Sequence, residues 1–228
     1  MPTAPRTHWP ISVLSSEDRL EPLSGPGVGP WPGALPDDPR FDPDLLRVGD
    51  HRNVVDQYRY WRLDAIVEDL DTRRHSFHVA IENLEHDFNI GSIVRTANAF
   101  LAKEVHIVGR RRWNRRGAMV TDRYQHIRHH DSVEELKAWA TTARIPIIGI
   151  DNVPESRALE TFDLPEACVL FFGQEGTGLA PQALESCDAV VSIAQYGSTR
   201  SINVGAAAAI AMHAWVRRHR FGQQADTS

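Results

Sequence analysis

Cysteine is scarce in this chain: Cys168 and Cys187 are the only two among 228 residues. One falls in a strand-like run and the other near a helix end, with neither metal-ligand spacing nor a disulfide framework. Two reduced buried thiols and no metal are therefore expected. A long hydrophobic stretch is also missing. The longest apolar run, Val204 to Val216, includes His213 and falls short of the roughly 20 residues that span a bilayer. The N-terminus "MPTAPRTHWPISVLSSEDRL" has no apolar core behind a basic start, so no secretory signal is expected. A cytoplasmic protein without membrane contact is the resulting expectation. Basic residues are not in excess: the formal net charge is -5. That excludes coating nucleic acid through bulk charge and leaves room for a local basic patch.

Proline is concentrated in residues 1–50, for example in "SGPGVGPWPGALPDDPRFDPD", without a sustained period of 2 or 3.6. A loosely ordered extension is expected there. Residues 51–75 carry a helical pattern from Asn53 to Arg74, with Val54, Tyr58, Trp61, Ala65 and Ile66 on one side; this helix is a candidate for RNA or dimer contact. Residues 76–222 form one main domain and 223–228 a tail.

Within that domain strands and helices alternate. "FHVAIENL", "EVHIVG", "IPIIGID", "ACVLFFG" and "AVVSIA" are strand-like. "NIGSIVRTANAFLA", "SVEELKAWATTA", "PQALESC" and "INVGAAAAIAMHAWVRRH" are helix-like, and Ser132 with Glu135 forms a capping box. Short apolar strands separated by helices predict an α/β fold with a mainly parallel sheet, with ligands beyond the carboxyl ends of the strands.

Three loops could carry chemistry. In the first, Asn89 is an expected N-cap, and Ile90, Ile93, Val94, Ala97 and Leu101 form the buried stripe of the helix it starts. Arg95 then lies roughly 140° from the centre of that stripe and faces outward. In the second, Gly173, Gly176 and Gly178 follow an apolar strand and imply close approach of backbone or ligand. Their Gly-x-x-Gly-x-Gly spacing lacks the Lys-Ser/Thr pair of a phosphate-binding loop and departs from the dinucleotide fingerprint, and Glu175 would repel a phosphate. In the third, Ser201 is the expected cap of the long C-terminal helix, Asn203 sits in its first turn, and Gly197 lets the loop bend back. Capping and tight packing explain Ser201 and the alanines, and leave Gln195, Tyr196, Thr199 and Arg200 over.

Taken in order, the Asn-x5-Arg pair at Asn89 and Arg95, "GQEGTGL" from Gly173 to Leu179, and Gly-x-x-x-Ser-Ile-Asn-Val from Gly197 to Val204 resemble the three motifs of the SpoU/TrmH branch of the SPOUT RNA methyltransferases. The resemblance covers residues 76 to about 220. It implies a mainly parallel sheet flanked by helices with a C-terminal trefoil knot, S-adenosylmethionine as cofactor, a homodimer, and methylation of a ribose 2'-hydroxyl in tRNA, somewhat preferred, or rRNA. By motif position, Gly173, Gly178, Ile193, Gly197 and Ile202 form the cofactor-binding set. Asn89, Arg95, Glu175, Ser201 and Asn203 surround the reacting ribose. Where many members have Leu and Ser, this chain has Ile202 and Gly205; neither change removes a reactive group.

The segment from Gly109 to His130 concentrates Arg110, Arg111, Arg112, Arg115, Arg116, Arg123 and Arg128 around Trp113 and Tyr124, which suits phosphate contacts with base stacking. A solvated basic loop is the plainer alternative. At the level of function, the alternatives are a catalytically silent RNA-binding dimer and an unrelated nucleotide-binding α/β protein, which should show Gly-x-Gly-x-x-Gly with an acidic residue about 20 positions on.

Overall fold

A computed structural model describes residues 27–83 and 89–222. The chain divides between Arg62 and Leu63 into two compact units. The first 26 residues of the stretch expected to be loosely ordered lie outside the described residues. From Gly27 the chain has defined structure. A short helix, α1 (Pro43–Val48), starts at Asp42, whose carboxylate accepts from the amides of Asp44 and Leu45, with Pro43 supplying a ready-made helical φ. Backbone bridges pair Val28 with Asp50 and Phe41 with Trp61, and Trp31 packs its ring edge-on to Phe41 and Tyr60.

The helix expected from Asn53 to Arg74 is broken. A single 3-10 turn spans Asp56–Tyr58, Tyr60 turns left-handed at φ 64°, and α2 covers only Leu63–Asp71. The pairing of Trp61 with Phe41, twenty residues back, overrides the local period.

Asp50 anchors this first unit. Its fully buried carboxylate accepts from the Arg52 backbone and guanidinium and from the Tyr60 amide. Burial alone would raise its pKa, but those bonds outweigh it and hold the group down at about 2. Since the folded value lies below the ordinary 3.8, the contribution is complete above about pH 4 and vanishes as pH falls through about 2. The Tyr60 amide should accordingly be protected from hydrogen exchange above about pH 4 and lose protection toward about pH 2.

The second unit carries a seven-stranded sheet: β1 (His78–Asn83), β2 (Val105–Gly109), β3 (Ile127–His130), β4 (Ile147–Ile150), β5 (Arg157–Ala158), β6 (Val169–Phe172) and β7 (Ala189–Ser192). All pairings are parallel and the order is β3-β2-β1-β6-β4-β7-β5. The helices are α3 (Asn89–Ala99), α4 (Val133–Ala143), α5 (Pro181–Ser186) and α6 (Val204–His219). The expected α/β architecture is thus present. Both faces of the sheet are covered, which is why strands such as Val169–Phe172 are apolar without alternation. Val79 and Ile81 join residues of α3 and α6, including Ile93, Ala208 and Trp215, in the larger core. Ala80 and Phe171 pack with Leu136 and Ala140 of α4 and Ala183 of α5 on the other face.

Cys168 is buried and Cys187 half-buried, both free; burial pushes each thiol up to about 12, so neither is a reactive thiolate at neutral pH. No helix among the described residues is long and apolar enough to cross a membrane.

Candidate active site

The three loops meet at the carboxyl ends of the strands. A pocket of about 510 Å³ opens there, between the ends of β4, β6 and β7 and the start of α6. Gly173, Glu175, Gly178, Ile193, Ser201, Ile202 and Asn203, all singled out from the sequence, line it.

The glycine loop is held tightly. Gln174 and Gly178 exchange backbone hydrogen bonds of 3.0 and 3.1 Å, closing the turn. A Cβ on Gly173 would lie 2.0 Å from the Gly178 carbonyl carbon, so only glycine fits. Two carboxylates support the loop from the ends of neighbouring strands. Asp151 accepts from the Leu179 amide at 2.8 Å, and Glu82, at the end of β1, accepts from the Ala180 amide at 2.8 Å. Burial raises the Glu82 pKa, the Ala180 N–H opposes that rise, and the Asp151 charge adds to it. Sequence reading missed both residues. An acidic residue at the carboxyl end of an apolar strand was the available signal.

At the pocket mouth a closed triangle of side chains joins all three loops. Asn89 Nδ2 donates to Glu175 Oε2 at 2.6 Å, and Asn203 Nδ2 donates to Glu175 Oε1 at 3.1 Å and to Asn89 Oδ1 at 3.0 Å. Asn203 Oδ1 faces the other way and accepts from the amides of Gly205 and Ala206. Asn203, not Ser201, is therefore the N-cap of α6, because its amide can cap the helix and meet the other loops at once. Asn89, expected as a cap, is the first residue of α3, with its side chain engaged by Glu175 and Asn203.

Arg95 is exposed, as the helical spacing required, and has no ion-pair partner among the described residues. It and Asn89 do not line the pocket; they stand on the helix beside it. Gly197, unlike the other members of the cofactor-binding set, is not among the residues that line the pocket; it lies on the open side of the third loop, where a Cβ would meet nothing within 4 Å, and its φ is not left-handed. The bend therefore does not require glycine, contrary to expectation. Gln195 does line the pocket, and its buried Oε1 lacks a hydrogen-bond partner. An acceptor of this kind, beside a backbone-lined cleft of several hundred Å³, fits a small polar ligand with donor groups such as an adenine-containing cofactor.

The basic segment is less uniform than its sequence. It contains two 3-10 turns, Arg115–Ala118 and Thr121–Arg123, and ends in β3, an edge strand too short and polar to be recognised in advance. Arg110, Arg111, Arg112, Arg115, Arg116 and Arg123 are exposed. Trp113 is half-buried against the larger core, with Arg115 over its ring at 5.6 Å, and Tyr124 is buried. Neither aromatic ring is freely presented, Trp113 being packed against the larger core and Tyr124 buried. Arg128 pairs with Glu104. Asn83, also missed, ties the segment down by donating to the carbonyls of Arg110 and Arg112. The turn at Arg115–Ala118 packs on Gly91 of α3, where a Cβ would approach the Ala118 nitrogen to 2.7 Å. The exposed arginines are thereby fixed next to the helix that carries Arg95.

A parallel α/β sheet with a glycine loop, a polar helix mouth and an outward arginine at one end places the protein among the α/β proteins whose ligand pocket lies beyond the carboxyl ends of the strands. Residues 76–213 match the SpoU rRNA Methylase family, and the chain belongs to it. An uncharacterized tRNA/rRNA methyltransferase of Mycolicibacterium vanbaalenii is 30% identical over 194 residues, which are 80% of this chain and 61% of that protein. The chain spans about three fifths of the length of such curated relatives, 61% in this case. Among solved structures, the SpoU methyltransferase AviRb from Streptomyces viridochromogenes in complex with AdoMet matches with a TM-score of 0.60 and 26% identity, over 68% of this chain and 62% of AviRb. The A. aeolicus TrmH/SpoU tRNA modifying enzyme shares the fold at a TM-score of 0.61 and 23% identity, over 71% of this chain and 84% of that one.

Proposed function

We propose that this protein is an S-adenosylmethionine-dependent RNA methyltransferase that methylates a ribose 2'-hydroxyl, in tRNA by preference over rRNA. The observation that carries the reading is the triangle of Asn89, Glu175 and Asn203, three motif residues from three separate loops brought into mutual hydrogen bonds at one pocket mouth. The cytoplasmic homodimer and the trefoil knot implied by the resemblance belong to the same proposal.

The pocket lined by Gly173, Gly178, Ile193, Gln195 and Ile202 would hold the cofactor. The backbone of the glycine loop offers polar contacts without side-chain bulk, the two isoleucines offer apolar packing for an adenine, and Gln195 Oε1 offers an acceptor. When bound, S-adenosylmethionine supplies an electrophilic methyl group. The protein's own task is to present the ribose hydroxyl to it. A guanidinium is too weak an acid to act as a base, so Arg95 grips the phosphate next to the target ribose and orients the hydroxyl, whose proton passes to a phosphate oxygen or water. Glu175 accepts from two amides and so is a positioning group, as is Asn203. Ser201 lines the pocket beside them. The exposed arginines from Arg110 to Arg123 extend the grip on RNA beyond the nucleotide, with a salt dependence to match.

Incubation of the purified protein with S-adenosylmethionine and, separately, unmodified tRNA and rRNA should yield 2'-O-methylated nucleosides on digestion and mass spectrometry, more from tRNA. Cofactor binding without product in either pool would count against catalysis of this kind. Loss of cofactor binding altogether would favour a silent RNA-binding dimer.

Asn203 separates stability from function. Asn203→Ala loses the α6 cap and should cost about 1 kcal/mol in thermal unfolding. Asn203→Asp keeps the cap but sets a second carboxylate against Glu175. It should melt near the wild-type temperature and lose most methyl transfer.

A further inference from the structure

On the face of the sheet covered by α4, three histidines form a continuous row across three strands. His78 Nδ1 lies 3.0 Å from His106 Nε2, and His106 Nδ1 lies 2.9 Å from His130 Nε2. His106 is fully buried, and His78 and His130 nearly so. Trp139 of α4 packs against the rings of His78 and His106, with centroids 5.0 and 4.3 Å away. Glu104, just before β2, places Oε2 3.8 Å from the same His106 Nε2 that faces His78. Nothing in RNA methylation uses these residues, and none of them lines the pocket.

We propose that His78, His106 and Glu104 form a binding site for a divalent transition cation of the zinc class. Their three ligand atoms all lie within 4.8 Å of one another. A tetrahedral ion with bonds of about 2.0–2.1 Å holds its ligands about 3.3 Å apart. The imidazole nitrogens are near that separation but face each other head-on, so both rings have to turn off that line, and Glu104 has to close from 3.8 Å. Two imidazole nitrogens facing each other at hydrogen-bond distance share a single proton. A cation would take that proton's place, the proton moving to the other nitrogen of its own ring, so that each imidazole stays neutral and offers one lone pair.

The surroundings support ligation. With Nε2 on the ion, His106 would carry its proton on Nδ1 and donate it to His130 Nε2, the outer hydrogen bond that fixes a ligating imidazole. Arg128 donates to both oxygens of Glu104 and keeps that carboxylate beside His106, where one oxygen can turn from the guanidinium to the ion. Glu104 remains 17% exposed and is the side of the site nearest solvent. Nitrogen and oxygen donors in this ratio suit zinc, cobalt or nickel more than calcium or magnesium.

The test is a titration of the chelator-treated full-length protein with Co2+, read by the visible d–d absorption of low-coordinate cobalt. One saturable equivalent is expected. Glu104→Gln, which leaves the imidazole row intact, should weaken binding at least tenfold, by about the margin that a lost ligand or its support causes. His106→Asn should abolish the band, with far-UV circular dichroism to show that the sheet still folds; if it does not, Glu104→Gln decides alone. No saturable cobalt spectrum, or one that both variants leave unchanged, would overturn the proposal and leave a row of imidazoles joined by protons only. The reading stands or falls independently of methyl transfer.

Discussion

Gly173→Ala should lose cofactor binding by more than about a hundredfold. Its added methyl would sit 2.0 Å from the carbonyl carbon and 2.2 Å from the carbonyl oxygen of Gly178, and 2.2 Å from the Leu179 nitrogen. All three are backbone atoms, so relief comes only by opening the loop. That loop is closed by the paired bonds of Gln174 and Gly178 and held beneath by Asp151 and Glu82. Overpacking of this severity costs about 3 kcal/mol locally, at the top of the usual range. Calorimetric titration with S-adenosylmethionine should therefore show no measurable heat, while circular dichroism still reports the sheet. Gly197→Ala is the matched control, since its methyl enters open space. It should bind the cofactor like the parent, and an equal loss there would show that loop composition in general, not the Gly173 contact, governs binding.

Arg95 should govern turnover without touching cofactor affinity. It is exposed on α3 and lies outside the pocket lining. Arg95→Ala would remove the proposed grip on the phosphate and should lower kcat by about a hundredfold, the effect of a small misplacement of reacting atoms. Arg95→Lys keeps the charge but loses the planar fork, and should recover less than about a tenth of the parent rate. Single-turnover assays at saturating RNA, with cofactor affinity measured alongside, separate these effects. Full activity in Arg95→Lys would mean that charge alone suffices and that the fork orients nothing.

Five of the seven strands were legible, those buried on both faces being written as unbroken apolar runs, Val169–Phe172 most clearly, whereas the exposed two-residue edge strand β5 was not. Nor was β3. Its sequence, Ile-Arg-His-His, belongs to a sheet edge, and its histidines make sense only beside His106 on the next strand. The motif residues Asn89, Glu175 and Asn203 were recognisable, but their arrangement was not. Choosing between Ser201 and Asn203 as the cap of α6 depends on partners 114 and 28 residues away in the chain. The break at Tyr60 has the same origin, for Phe41 and Trp61 pair across a span that no local period samples. Asp151 and Glu82 are ordinary strand-end carboxylates until the glycine loop is seen to rest on them.

The strand order also sets a timetable for the nascent chain. β4 has only two hydrogen-bonded neighbours, β6 and β7, and both are synthesised after it. When β4 leaves the ribosome, β1, β2 and β3 can already pair, yet β4 has no strand to join, and β1 still presents the edge that β6 will fill. Arrival of Val169–Phe172 welds the two parts together along one seam. Until then the intermediate carries open parallel edges of the kind that invite aggregation, and slow translation between β4 and β6 would prolong that exposure.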